Sequence, residues 1–157
     1  MEKTNVMRIL DQKKIKYNSY EYPHDDSEID GISVANKLGQ DHNKVFKTLV
    51  CVSKSKKNYV FVVPVAHELD LKKCAKAVLE KSVEMISVKE LLPLTGYVRG
   101  GCSPIGMKKS FQTVVHKSAL DFDTIIFSAG KIGYQVEINP LDLKKLIRVS
   151  FEDIIEE

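Results

Sequence analysis

At 157 residues, with 43% hydrophobic and 29% charged residues and a formal net charge of +3, the chain has the composition of a folded globular domain rather than a disordered one. That length suits a single core spanning residues 1–157. No apolar run reaches the ~20 residues of a bilayer span, and the opening MEKTNVMRILDQKK lacks the features of a secretory leader, so a cytoplasmic protein is expected.

In chain order, Thr4 stands as a cap before Val6, Met7 and Leu10 at helical spacing, which predicts an amphipathic helix ending at Lys13 and Lys14. KYNSYEY alternates like a strand until Pro23 and the acidic turn HDDSE break it. GISVANKL reads as a short helix closed by Gly39. FKTLVCVS and YVFVVPV, joined by polar KSKKN, predict a hairpin. Asp70 caps LKKCAKAVLE, VEMIS is a short strand, and Ser87 with Glu90 forms a capping-box pattern before SVKELLPL. After a glycine-rich loop, QTVVHKS, DTIIFSA and YQVEI read as strands, Asn139-Pro140 starts the helix LDLKKLI, and a short acidic tail follows. About seven strands and five helices without βαβ alternation predict an α+β domain, its curved mixed sheet partly barrel-like and flanked by helices.

The cysteines Cys51, Cys74 and Cys102 are odd in number and far apart, so neither a disulfide framework nor a metal site is predicted. Neither GxGxxG nor GxxxxGK[ST] occurs, and no cofactor is implied. Lysines cluster at Lys54/Lys56/Lys57, Lys72/Lys73/Lys76, Lys108/Lys109 and Lys144/Lys145, which builds either solvated faces or a phosphate-attracting surface.

Lys47 shares a strand face with Leu49 and Cys51. Either its ammonium snorkels to water, or it is buried against a polar partner where it can hold a carbonyl oxygen, a ribose hydroxyl or a phosphate. In TGYVRGGCSPIG, the pair Gly100 and Gly101 lets backbone approach a ligand and can aim two N–H groups at an oxyanion, with Ser103 and Pro104 adding a fixed hydroxyl. A plain helix-to-strand connection is the alternative. Cys102 is a nucleophile only with a base, and His24, His42, His67 and His116 have no motif relation to it, which favours a bystander thiol. Ser128 likewise lacks a base and reads as a hydrogen-bonding wall residue. Tyr20 and Tyr22 are packing residues with wet tips or stacking platforms for a base.

Taken together, FKTLV at 46–50, LDLKKCAKA at 69–77, VEM at 83–85, TGYVRGGCSPIGMKK at 95–109 and FSAGKIG at 127–133 resemble the YbaK/EbsC-type Cys-tRNA(Pro) deacylases of the bacterial prolyl-tRNA-editing superfamily. The resemblance implies a curved mixed sheet whose cavity receives the 3′ end of a misacylated tRNA, and an enzyme that acts in trans beside prolyl-tRNA synthetase. It implies that Lys47, Gly100 and Gly101 do the catalytic work and that Tyr20 and Ser128 contact substrate, and the loop's own chemistry adds Ser103 and Pro104 to the expected substrate contacts. It departs from the family at Ala129, where the turn usually has glycine, at Gln135, where some relatives are acidic, and at Cys102, where others have isoleucine. The implied chemistry is substrate-assisted, the cysteinyl thiol attacking its own ester. The alternatives are a deacylase for another small amino acid such as alanine, and a non-catalytic module that binds tRNA ends or a synthetase.

Overall fold

The computed structural model describes residues 2–24 and 30–157; most of the acidic turn expected at 24–28 lies outside the described residues. The chain begins with α1 (Asn5–Gln12), whose Thr4 cap accepts a hydrogen bond from Met7 N–H at 3.3 Å and whose Val6, Met7 and Leu10 stripe is buried as the spacing predicts. Then follow β1 (Asn18–Glu21), α2 (Gly31–Leu38), the hairpin β2 (Phe46–Ser53) and β3 (Asn58–Pro64), α3 (Leu71–Ala77), β4 (Val83–Met85) and α4 (Val88–Thr95). The remainder is β5 (Gln112–His116), β6 (Ile125–Ser128), β7 (Tyr134–Ile138) and β8 (Val149–Glu152), with short 3-10 helices at Lys117–Asp121 and Pro140–Lys145.

The described residues form eight strands in two sheets, where the sequence reading expects about seven in one partly barrel-like sheet. One sheet is antiparallel, in the order β1-β7-β6; the other is mixed, in the order β4-β2-β3-β5-β8, with β3-β5 and β5-β8 parallel. Among the described residues a single bridge, Val45 to Ile126, joins them; β2 and β6 lie near each other without forming a ladder, and the sheets do not close into a barrel. The additional strand β8 occupies VSFE, immediately before the acidic tail. LDLKKLI is 3-10 rather than α-helical: Leu143 is fully buried while Leu141 stays half exposed, so packing rewards no continuous 3.6-residue stripe.

β3 is buried on both faces, which explains its unbroken apolar run. Val60 and Val62 face the main core with Phe46, Val50, Phe127 and α1, while Phe61 and Val63 pack under α3 against Cys74, Ala75 and Ile154. Burying Phe61 alone contributes about 2–3 kcal/mol. The C-terminal residues pin the turn ahead of α3, with Glu156 N–H donating to Glu68 O and Asp70 N–H to Ile154 O.

One buried charge braces the smaller sheet. Glu137, 7% exposed, accepts hydrogen bonds from Thr124 Oγ1 at 2.6 Å and from the Tyr20 hydroxyl, and pairs with Lys44 Nζ at 2.6 Å. Burial raises its carboxyl, but the bonds from Lys44, Thr124 and Tyr20 outweigh that and bring it down to about 2, while the Glu137 bond and burial push Tyr20 up to about 12. A carboxylate lowered in the folded state stabilises the fold above its unfolded value and loses that contribution as pH falls to the folded one. Glu137→Gln is therefore expected to cost up to about 3 kcal/mol near neutral pH. The gap to the parent should narrow between pH 4.5 and about 2, as measured by denaturant melts across that range.

Candidate functional site

The site is a break in the sheet. β2 pairs with β3 along its length but with β4 only over Cys51–Ser53, and β6 is bridged only to Val45, the residue before β2, leaving the edge from Phe46 to Val50 without a strand partner among the described residues. Val45 O accepts from Val65 N–H on the β3 side, whereas Lys44 O and Val50 O accept from Ile126 and Ile86 on the other. By alternation, Thr48 turns its backbone N–H and C=O into the gap. A cavity of about 830 Å³ opens there, walled by α2, α4, the loop after α4 and the β6-β7 corner. That volume suits a nucleoside carrying a small acyl group.

Lys47, Gly100 and Ser128 line the cavity together. Lys47 faces the α3 side of the sheet as alternation predicts, about a quarter exposed, and is paired: its Nζ lies 3.5 Å from Glu68 Oε1. The hairpin register sets this up, because Lys47 lies opposite Val63 and the chain needs only five more residues to bring Glu68 back beside it. Gly100 is in a left-handed conformation with φ of 85° that favours glycine, and its N–H has no partner among the described residues. Ser128 Oγ accepts from Gly130 N–H at 3.1 Å, which keeps its own O–H available as a donor.

Gly101, Ser103, Pro104 and Tyr20 are not among the residues lining the cavity. Gly101 N–H donates to Val98 O at 3.0 Å, and a Cβ there would sit 3.0 Å from Ile132 N, so Gly101 lets the loop pass against the 131–132 turn. The expected pair of glycine donors thus reduces to Gly100. Ser103 is fully buried and its Oγ accepts from Ile105 N–H at 3.3 Å, a local turn bond, with Pro104 buried beside it. Tyr20 spends its hydroxyl on Glu137, and Tyr22 lines the cavity instead.

Cys102 reaches the wall with a thiol that burial pushes up to about 12, the opposite of an activated nucleophile. Among the described lining residues there is no histidine. Gln135, 4% exposed, lines the cavity beside Ser128, its Oε1 accepting from Gln40 Nε2 at 2.8 Å. Sequence reasoning missed Glu68, Arg99, the backbone of Thr48 and the walls from α2 and α4. Arg99 stood within the quoted motif, but Glu68 becomes legible only once the hairpin register is known. Of the lysine clusters, Lys108 packs over Gly96 at the end of α4, beside the loop that carries Arg99.

In this arrangement a cation, a glycine with an unpartnered N–H and a hydroxyl line one partly apolar cavity, a set that can orient an ester and stabilise an oxyanion, and the described lining residues offer no activated nucleophile. Comparison with known proteins fits that chemistry. A protein of Enterococcus faecalis (strain ATCC 700802 / V583), named as a candidate Cys-tRNA(Pro)/Cys-tRNA(Cys) deacylase, EbsC, is 45% identical over 153 residues, covering 98% of this chain and 93% of its own. A solved structure described as a candidate trans-editing enzyme for prolyl tRNA synthetase shares the fold at a TM-score of 0.82 and 21% identity, over 100% of both chains. A solved hypothetical protein shares it at 0.85 and 18%, over 98% of this chain and 100% of its own. Residues 29–146 match the aminoacyl-tRNA editing domain, and the chain belongs to that family.

Proposed function

We propose that the protein is a trans-acting deacylase that clears cysteine from tRNA(Pro), and that the substrate supplies the nucleophile. The observation that carries the reading is a cavity holding Lys47 and the Gly100 N–H, whose own thiol, on Cys102, is held unreactive. In the proposed step the cysteinyl sulfur attacks its own ester carbonyl; the C–S bond forms, the C–O bond to the terminal ribose breaks, and the thiol proton ends on the released ribose oxygen. The cyclic thiolactone then opens in water to free cysteine. Lys47 and the Gly100 N–H stabilise the charge that develops on the carbonyl oxygen, and Ser128 contacts the ribose. Such a site supplies discrimination that a synthetase pocket cannot achieve between side chains of similar size. Work beside prolyl-tRNA synthetase in the cytoplasm accords with the reading. Among the described residues no helix is long and apolar enough to cross a membrane.

The test is release of tRNA from Cys-tRNA(Pro), with Ala-tRNA(Pro) and Pro-tRNA(Pro) in parallel. Turnover of the cysteinyl ester alone is expected. Equal cleavage of the alanyl ester would return the small-amino-acid alternative, and salt-sensitive binding of every tRNA without release would make the protein a binding module. Cys102→Ala is expected to keep deacylation while costing about 1 kcal/mol of stability. Lost activity in a folded Cys102→Ala protein would restore an enzyme thiol to the mechanism.

A further inference from the structure

The cavity wall carries two cationic side chains, Lys47 and Arg99, and an aminoacyl ester brings a third positive charge, its α-ammonium, into the same space. That charge needs a carboxylate. Among the described residues two line the cavity, Asp30 and Glu68. Asp30 is occupied as the cap of α2, with Oδ1 accepting from Ser33 N–H at 3.0 Å and Oδ2 from Ser33 Oγ at 2.8 Å. Glu137 is engaged by Lys44, Thr124 and Tyr20 and does not line the cavity.

Glu68 differs from both. Its side chain is 76% exposed, its Oε1 stands 3.5 Å from Lys47 Nζ, beyond a close hydrogen bond, and its other oxygen has no partner among the described residues. Its backbone is nevertheless fixed, because Glu68 O accepts from Glu156 N–H at 3.0 Å and Leu69 bridges Ile155. The carboxylate is thus attached to a held frame while its acceptors remain open.

We propose that Glu68 anchors the α-ammonium of the aminoacyl group. The inference rests on the reading of Lys47 as the group that holds the ester. In any α-amino ester the nitrogen lies about 2.5 Å from the carbonyl carbon. A cation on the carbonyl oxygen therefore has the ammonium as its immediate neighbour, and the acceptor for that ammonium must stand beside the cation. Glu68 stands there. It offsets the repulsion between Lys47 and the substrate's own charge, and it favours an aminoacyl ester over an acyl group lacking the amine.

The test uses two stable mimics, adenosine carrying cysteine through a 3′-amide and the same compound with a 3-mercaptopropionyl group, which lacks only the amine. Calorimetric binding near pH 6.5 is expected to favour the amino compound about fivefold in the parent protein. The preference should fade as pH rises past about 8, where the amine loses its proton. In Glu68→Gln it should vanish while the mercaptopropionyl compound binds as in the parent. An undiminished preference in Glu68→Gln, or equal weakening of both compounds, overturns the anchor and leaves Glu68 acting through Lys47 alone. Failure of both compounds to bind the parent protein overturns the cavity's assignment to the aminoacyl end, a result distinct from the loss of discrimination.

Discussion

Exchanging the cysteinyl ester for a seryl ester on the same tRNA is expected to lower single-turnover cleavage by about 10³-fold or more, because it removes the nucleophile while leaving size and polarity nearly unchanged. A thiol ionises near pH 8.5, so a useful fraction is thiolate at neutral pH; an alcohol has almost none. Cys102 is held protonated by burial, and the described lining residues include no histidine that could activate water or the seryl hydroxyl. Cleavage of the seryl ester at a comparable rate would require water as the attacking group, with a base for it in the wall. The cysteinyl rate should also climb with pH as the substrate thiol ionises, and the same rapid-quench measurement repeated from pH 6 to 8.5 reads that slope.

Lys47→Ala is expected to reduce the same rate by about 10²–10³-fold at saturating substrate, the usual effect of deleting one oxyanion-stabilising group. Folding should be nearly untouched. The lysine's partner is an exposed carboxylate 3.5 Å away, an interaction too screened to hold much of the fold together. A thermal melt close to the parent's, set beside a collapsed rate constant, separates catalysis from structure. Lys47→Arg should recover only part of the rate, since a planar guanidinium cannot place its charge where the compact ammonium stood. Full activity in Lys47→Ala would assign the carbonyl oxygen to backbone donors alone, with Thr48 and Gly100 the available pair.

Much of this was legible in the sequence wherever a local signal decided the outcome. The Thr4 and Asp70 caps, the Gly39 stop with φ of 65° and the alternation along FKTLVCVS are short-range physics, and the structure follows them. Ser87 is a partial exception: its hydroxyl donates to the Glu90 carboxylate at 3.1 Å rather than capping the backbone. What was not legible depends on contacts distant in sequence. β8 is four residues long and owes its existence to parallel pairing with β5, more than thirty positions earlier, so no window of sequence around VSFE announces it. The division into two sheets falls where β2 and β6 are joined by one bridge and no ladder, again a long-range matter. In the site, motifs mark Lys47, Gly100 and Ser128, and all three line the same cavity. The burial of Ser103 and the closure of Gly101 against Ile132 were not legible, because a glycine-rich loop reads the same whether it faces a ligand or a neighbouring turn.

The bonds from Ile154 and Glu156 back to the turn at 68–70 set an order of assembly. A ribosome makes a chain from its N-terminal side, and the hairpin and α3 can form early, yet the turn bearing Glu68 stays unpinned until residues 154–156 have been made. The wall that carries Glu68 is therefore finished only when residues 154–156 dock against it. A chain stopped before residue 154 would carry most of its core and an incomplete cavity wall, without any substitution in the site itself.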